Sequence, residues 1–286
     1  LKNLDYTIIA VVVILTAISF FVIASASPEN PYYFVKRQLM WVALGLVLFV
    51  LTLSIDYHDL ALYTKHLYIF NLILLGAVFI FGREAGGAQR WLQLGFLEIQ
   101  PSEPAKLIII ITLADLLTKR ASSLDTIRDL LPVLAHVLLP MALILKQPDL
   151  GTSLVFAGVL FGMLFVVGIK WQYLAGFCGV GAAMAPLLFH FLQDYQRKRI
   201  LAVFNPYIDP TGSGYHVIQS MIAIGSGRAW GKGLFGGTQS RLGFLPVQHT
   251  DFIFSVIGEE LGFIRTTGIL ALYFILIYRG IQVAVK

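Results

Sequence analysis

The segment His249–Glu260 places carboxylates next to an apolar run, an unusual setting for charged side chains. Thr250 is a candidate N-cap, and the helix that it would start has Asp251 in its first turn. Asp251, Ser255 and Glu259 then follow at i, i+4 and i+8, which places them on one stripe. A carboxylate at a helix N-terminus is favoured as the anion, and an ionised carboxylate can act as a general base. The alternative is a structural acid that caps the helix.

Two other groups of charged residues border apolar segments. Glu103 and Lys106 are three positions apart, so they share one face of a helix and can form an ion pair. Either this pair neutralises itself near the membrane interface, or it lines a polar cavity. Asp149 precedes the apolar segment 150–168, where we expect it to cap a helix. It is also a candidate for holding a cation or a hydrogen-bond donor from a loop.

The stretch 225–243 contains seven glycines, with Arg228, Lys232 and Arg241 between them. Glycines allow backbone N–H groups to approach a ligand closely and to form anion-binding nests. The interleaved basic side chains favour binding of an anionic ligand over a flexible connector. Arg90, in the shorter polar segment 82–100, is a further basic candidate.

These polar residues must be positioned by a chain that is otherwise strongly apolar. Hydrophobic residues make up 57% of its 286 residues and charged residues 13%, whereas soluble domains have about 25% charged residues. Apolar stretches of about 20 residues cross a bilayer as helices, because backbone groups in lipid need partners within their own segment. The sequence therefore predicts an all-α, polytopic integral membrane protein with about eight transmembrane helices. They lie at about 5–26, 36–55, 63–81, 103–119, 130–146, 150–168, 171–193 and 251–279.

The long connection 194–250 retains aromatic and apolar residues, which argues against disorder. A short helix is expected within it at 215–224. If the eight spans alternate, the segments 82–100 and 194–250 emerge on one face. With a cytoplasmic N-terminus, more of the lysine and arginine residues lie on this outer face than on the inner one, so the positive-inside rule does not select this orientation. Either the orientation is reversed, or this face handles an anionic ligand. The sequence contains no motif for binding nucleic acid.

Several long motifs, in order along nearly the whole chain, resemble the SEDS family (shape, elongation, division and sporulation). They are GGAQRW with QPSEPAK, then KQPDLGT, NPYIDPTGSGYHVIQSMIAIGSG and FLPVQHTDFIFSVIGEELG. The resemblance is greatest to the RodA branch, and members that act in division or sporulation share these motifs. It implies a single domain over 1–286 in the bacterial cytoplasmic membrane, with the loop 194–250 outside. The family has ten spans, two more than the eight predicted here.

The resemblance also implies an activity, a set of partners and site residues. Members are inverting glycosyltransferases that polymerise lipid II into glycan strands, for cell-wall elongation and cell shape, together with a class B penicillin-binding protein. Asp251 matches the family's essential aspartate. Glu103 and Lys106 match the family's pair of oppositely charged helix residues. Asp149 matches its PDLG aspartate. The remaining residues expected to bind or support the substrates are Arg90, Arg228, Lys232, His249, Thr250 and Glu259. No cofactor is assigned with certainty, and a divalent cation at the leaving diphosphate is a candidate.

Two other functions are compatible with the residues. A transporter that flips the lipid-linked precursor would use charges at membrane depth such as Glu103, Lys106 and Glu259. Flipping requires alternating access, often built from internal repeats, and no repeat is evident here. A non-catalytic scaffold for the partner enzyme is the third hypothesis. A polymerisation assay on purified protein, with and without the partner, distinguishes the three.

Overall fold

The computed structural model describes residues 4–85, 88–94, 97–120, 124, 126–192, 194–212 and 214–285. Helices dominate these ranges, which confirms the predicted all-α fold class. The helices are α1 Tyr6–Ala26, α2 Pro31–Leu53, α3 Tyr57–Phe81, α4 Ser102–Arg120, α5 Ile127–Lys146, α6 Leu150–Val167, α7 Trp171–Phe191, α8 Asp194–Phe204, α9 Tyr215–Ser226, α10 Thr238–Arg241 and α11 Ile253–Val285.

Each of the eight predicted spans coincides with a helix, namely α1 to α7 and α11. Six described helices are long and apolar enough to cross a membrane: α1, α2, α3, α5, α6 and α11. The fourth predicted span, α4, carries acidic or basic residues in both its first and its last turn. For α4 and α7, the assignment as membrane spans stays a prediction.

Both long polar connections are folded. The segment 82–100 forms three short antiparallel strands, β1 Arg83–Ala85, β2 Ala88–Leu94 and β3 Leu97–Ile99, in the order β1-β2-β3. The sequence analysis did not foresee these strands. The segment 194–250 contains α8, a 3-10 turn at Pro206–Ile208, α9 and α10. The helix predicted at 215–224 is thereby confirmed as α9.

The chain divides into two compact units, Leu1–Thr52 with Phe189–Lys286, and Leu53–Leu188. In the second unit, helices α3 to α6 enclose an apolar core that includes Leu75, Ile109, Val137 and Phe156. The prediction of a single domain over 1–286 stays a prediction.

In the first unit, α1 and α11 pack side by side in opposite directions. Asp5 forms an ion pair with Arg279 at 2.8 Å at one end, and Ser25 donates a hydrogen bond to Glu260 at 2.6 Å at the other. At 1.5 Å per residue, these two contacts lie about 30 Å apart along α1, the thickness of a hydrocarbon core. Desolvation raises the pKa of Asp5, but two amide hydrogen bonds and the charge of Arg279 outweigh it and lower this pKa.

Helix α11 is interrupted at Gly262, whose φ of 77° and ψ of 177° are not helical. The interruption exposes backbone groups that an unbroken helix would pair internally. Four backbone hydrogen bonds of 2.8–3.1 Å join the segment 228–233 to the segment 259–264. The glycine-rich loop is therefore fastened to α11 at the point where the helix breaks.

Candidate functional site

Asp251 lies in a tight turn that ends before α11 begins at Ile253. The backbone N–H groups of Thr250 and Asp251 both donate to the carbonyl oxygen of Val247, each at 3.1 Å. The Thr250 hydroxyl donates to the same oxygen at 3.2 Å. Val247 has a φ of 41°, a conformation that β-branched residues rarely adopt. The prediction that Thr250 caps a helix with Asp251 in its first turn is wrong, because these groups close the turn instead.

The turn is held on both flanks while its carboxylate stays accessible. Leu245 before the turn and Val256 after it belong to one apolar cluster of the first unit. The ring of His249 packs against that of Phe34, with centroids 4.0 Å apart. The Asp251 side chain is exposed and has no hydrogen bond or ion pair with any other described residue. An accessible carboxylate without a partner among the described residues is free to reach a substrate hydroxyl, as a general base must.

Glu259 occupies the opposite environment, because its side chain is 0% exposed. Its Oε1 accepts hydrogen bonds from the backbone N–H groups of Thr238 at 2.8 Å and Gln239 at 3.0 Å. The Lys232 ammonium lies 2.6 Å from the same oxygen. The N–H of Ser240 donates to Oε2 at 3.4 Å. The carboxylate is thus surrounded by donors of the chain itself.

These contacts correct one expectation and bear on another. The predicted stripe of Asp251, Ser255 and Glu259 is wrong, since Asp251 precedes the helix and is exposed while the other two are buried. Lys232 and Glu259 were expected to bind or support substrate. The structure pairs them with each other inside the first unit, where they connect the loop to α11. A role for either residue in binding or supporting substrate stays a prediction.

The glycines of the loop allow close packing against α11. A Cβ at Gly227 or Gly231 would overlap the carbonyl oxygens of Gly258 and Glu260, respectively. Gly231 also has a φ of 81°, which favours glycine. The backbone N–H groups of residues 237–240 donate to carboxylates of this chain, so this part of the loop binds internal acids. Binding of an external anion by the rest of the loop stays a prediction.

Besides Arg241, a second loop cation that remains available is Arg228. Its side chain is exposed and forms no ion pair within the described part of the chain. Its backbone is fixed, with a φ of 51° and a carbonyl oxygen that accepts the N–H of Phe263 at 2.8 Å. An exposed guanidinium on a fixed backbone suits binding of a phosphate group.

In the second unit, Asp149 joins three elements. It caps α6 as predicted, accepting the Thr152 N–H at 3.1 Å, and it accepts the Gln100 side-chain amide at 3.1 Å. Arg90 of β2 lies 3.9 Å from its carboxylate and donates to the Pro148 carbonyl oxygen at 2.6 Å. Asp149 is 7% exposed. Arg90 and Asp149 therefore tie the small sheet to the turn between α5 and α6.

Glu103 and Lys106 form the predicted ion pair, with Nζ 2.9 Å from a carboxylate oxygen. The two side chains are 58% and 29% exposed, respectively. An exposed pair of this kind contributes only about 0–1 kcal/mol to stability. Both groups therefore remain accessible to a ligand at the start of α4.

A sequence model of the cell cycle protein family that comprises FtsW, RodA and SpoVE matches residues 4–286. The chain belongs to this family. The peptidoglycan glycosyltransferase MrdB of Escherichia coli K12 is 40% identical over 285 residues, covering 99% of this chain and 76% of MrdB. A probable peptidoglycan glycosyltransferase FtsW of Escherichia coli O6:H1 is 35% identical over 291 residues, covering 99% of this chain and 70% of that FtsW.

Solved structures of the FtsW/RodA/SpoVE family share this fold. One belongs to a peptidoglycan synthase complex that coordinates polymerisation and crosslinking. It matches with a TM-score of 0.79 and 36% identity, over 97% of this chain and 77% of that one. The RodA protein of Thermus thermophilus matches with a TM-score of 0.66 and 30% identity, over 97% of this chain and 74% of that one. The predicted family and its membrane fold are confirmed.

The sequence analysis of this FtsW/RodA/SpoVE member missed a second buried carboxylate, Glu260, which is 1% exposed. Ser25 of α1 and Gly237 of the loop both donate to it. Two adjacent acids within an apolar segment are a signal that sequence alone offers, since charge at membrane depth is costly. Ser25 and Gly237 are distant from Glu260 in the sequence, so no local sequence pattern indicates these contacts.

Proposed function

We propose that this chain is a peptidoglycan glycosyltransferase that polymerises lipid II into glycan strands, with Asp251 as its general base. The predicted enzyme class agrees with the names of the relatives, MrdB and FtsW, which are peptidoglycan glycosyltransferases and match along nearly the whole chain. The observation that carries the role of Asp251 is its carboxylate, exposed and unpaired among the described residues, on a turn with fixed flanks.

The reaction joins two lipid-linked sugars by inversion at one carbon. The 4-hydroxyl oxygen of the acceptor sugar attacks the anomeric carbon of the donor, and the bond from that carbon to the diphosphate breaks. Asp251 takes the hydroxyl proton, and the electron pair of the broken bond leaves with the undecaprenyl diphosphate. General-base assistance of this kind contributes about 10²–10⁴-fold to the rate. Anchoring both substrates in one membrane further lowers the entropic barrier.

The leaving diphosphate requires positive charge near it. Arg228 is a candidate in the first unit, because its guanidinium is exposed and not engaged in an ion pair with described residues, and its backbone is fixed against α11. Lys106 stays a candidate for substrate binding from the second unit. The described residues include no group of three or more His, Cys, Asp or Glu side chains suited to a metal ion. No step is assigned to the divalent cation that the resemblance suggests.

The proposed setting is the outer face of the bacterial cytoplasmic membrane, with a class B penicillin-binding protein as the crosslinking partner. Six apolar helices support a membrane location. The match to a chain of a peptidoglycan synthase complex supports a partner that crosslinks the product. With the long loop outside, Arg228 faces the side on which an exported diphosphate-linked substrate arrives.

The direct test is polymerisation of purified lipid II by the Asp251→Asn variant, which keeps the size of the side chain and removes its basicity. We expect a loss of about 10²-fold or more in rate, with an unchanged thermal unfolding midpoint. Asp194→Asn is the matched control, because Asp194 is also acidic and its side chain is 94% exposed. It should polymerise at the normal rate.

Three outcomes would contradict the proposal. Normal polymerisation by Asp251→Asn would exclude Asp251 as the base. Transbilayer movement of labelled lipid II without polymer, by the unsubstituted protein, would support a flippase. Polymer made only by the partner, with Asp251→Asn disrupting the complex rather than turnover, would support a scaffold.

A further inference from the structure

Two adjacent buried carboxylates in the first unit, Glu259 and Glu260, differ greatly in the number of donors that contact them. Glu259 receives three backbone N–H groups, the Thr238 hydroxyl and the ammonium of Lys232. Glu260 receives the Ser25 hydroxyl at 2.6 Å and the Gly237 N–H at 3.3 Å, both on Oε1. Its other oxygen, Oε2, is buried and has no hydrogen-bond partner. One acid is saturated with donors and the other is not.

A second buried oxygen without a partner lies beside this pair. Ser240 is 0% exposed, and its Oγ makes no hydrogen bond. Three oxygens lie within 3.1 Å of the position that a Cβ of Gly237 would occupy. They are Ser240 Oγ, Glu260 Oε1 and Glu259 Oε2. Three oxygens from α10 and α11 therefore converge where residue 237 has no side chain.

The charges of this cluster do not balance. With both side chains ionised, the two carboxylates carry two negative charges, and the ammonium of Lys232 supplies one positive charge. A negative charge left in a water-excluded environment is costly and requires a partner. The cluster thus lacks one positive charge, and two of its oxygens, Glu260 Oε2 and Ser240 Oγ, lack a partner.

The candidate occupants of this cluster are a water molecule, a proton and a metal cation. They differ in whether they supply the missing positive charge and whether they contact the oxygens that lack a partner. A water molecule would serve the two unpartnered oxygens and leave the charge. A proton on Glu260 would remove the charge and leave the Ser240 hydroxyl without a partner. A small monovalent cation removes the charge and takes Ser240 Oγ and the neighbouring carboxylate oxygens as ligands, since hard cations prefer oxygen donors. A divalent cation would leave the cluster positive.

We propose that Glu259, Glu260 and Ser240 form a binding site for a sodium ion, which neutralises the buried acid pair and fixes the loop 237–251 against α11. The site is separate from the proposed chemistry at Asp251. Its test therefore reads stability and ion binding and does not depend on polymerisation.

The first measurement is thermal unfolding of the purified full chain in detergent, with sodium chloride replaced by choline chloride at constant ionic strength. Sodium should raise the midpoint in a saturable way. A ligand at 100 times its Kd shifts the folding equilibrium about 100-fold, or about 2.7 kcal/mol. The second measurement is binding of radioactive sodium to the same protein, with one ion per chain expected.

Two variants target the site and one serves as a control. Glu260→Gln removes the unpaired charge, so it should lose the sodium dependence and be more stable than the unsubstituted chain in choline. Gly237→Ala puts a methyl group among the three oxygens, at a φ of −65° that alanine adopts freely. It should also lose sodium binding. Gly225→Ala in α9, where a Cβ meets nothing within 4 Å, should retain both responses.

Certain results would overturn the sodium site. A midpoint that does not respond to sodium and shifts with pH in the unsubstituted chain, but not in Glu260→Gln, would assign a proton to Glu260. Glu260→Gln that is destabilised equally in sodium and in choline would assign it a purely structural role. Radioactive sodium that binds equally to Gly237→Ala would place the ion elsewhere.

Discussion

Replacement of Lys232 by methionine removes the ammonium group that lies 2.6 Å from the Glu259 carboxylate, while the apolar part of the side chain is kept. Removing one member of a buried ion pair typically costs about 3–5 kcal/mol, because the other charge stays buried without its partner. Two features reduce this cost here. Lys232 is 27% exposed, and Glu259 retains three backbone N–H groups and the Thr238 hydroxyl. We therefore expect a loss of about 2–3 kcal/mol.

A double-mutant cycle separates the pair from other effects of the substitution. Unfolding of the unsubstituted chain, Lys232→Met, Glu259→Gln and the double variant is measured in detergent. Because glutamine carries no charge, the methionine should cost little once Glu259 is replaced. The coupling energy should then be about 1.5–3 kcal/mol. Arg241→Met is the matched control, since Arg241 is an exposed loop cation without an ion pair to described residues, and it should be neutral.

The alternative is that Lys232 binds substrate, as the sequence suggested. In that case Lys232→Met would leave the free energy of unfolding within about 0.5 kcal/mol of the unsubstituted value, as most surface substitutions do. It would also reduce polymerisation in the presence of a stable fold, and the coupling with Glu259 would vanish. That combination would refute the assignment of Lys232 to the buried pair.

Three further substitutions test how the site is positioned, each read by the midpoint of thermal unfolding. Gly262→Ala should lower the free energy of unfolding by more than about 1 kcal/mol, because residue 262 has a φ of 77° and alanine is strained there. An unchanged midpoint would mean that α11 is continuous. Asp149→Ala should cost about 2 kcal/mol through loss of the α6 cap and of the Gln100 contact, and a loss below about 0.5 kcal/mol would contradict this. Phe34→Ala should lower the free energy of unfolding by about 0.5–1.5 kcal/mol. The rate of polymerisation should fall by more than this loss of stability explains, since the Phe34 ring packs against His249. Unchanged polymerisation would show that this contact does not position the turn.

The spans were predictable because hydropathy acts locally. A run of about 20 apolar residues needs a helix in lipid whatever its neighbours are, and α1 to α7 and α11 follow that rule. The cap at Asp149 is also local, since an acid before Leu150-Gly-Thr152 meets the free N–H groups of the next turn. The Glu103–Lys106 pair follows from helical spacing alone.

The interior of the loop was not predictable, because its partners are distant in sequence. Lys232 and Glu259 are 27 positions apart, and nothing near either residue specifies the other. Glycine-rich sequence suits both an external anion and a nearby helix backbone. The break at Gly262 decides between them, because it exposes backbone groups that only a closely approaching loop can pair. The local rule for Thr250 failed because its N–H and hydroxyl donate to the carbonyl oxygen of Val247 and close a turn instead of capping α11.

Asp251, in the turn before α11, is exposed to solvent, whereas Glu259 and Glu260 of α11 are buried. Their expected roles differ accordingly. A general base must meet a substrate hydroxyl, and the exposed position of Asp251 ahead of the helix is compatible with its proposed role. Glu259 and Glu260 are out of water, and their charge depends on donors that the loop supplies. The same loop continues through Leu245 into the turn that carries Asp251. We therefore expect the buried acids to influence the proposed catalysis through position: weakening their hold on the loop should displace the carboxylate of Asp251 without altering any group proposed to touch substrate.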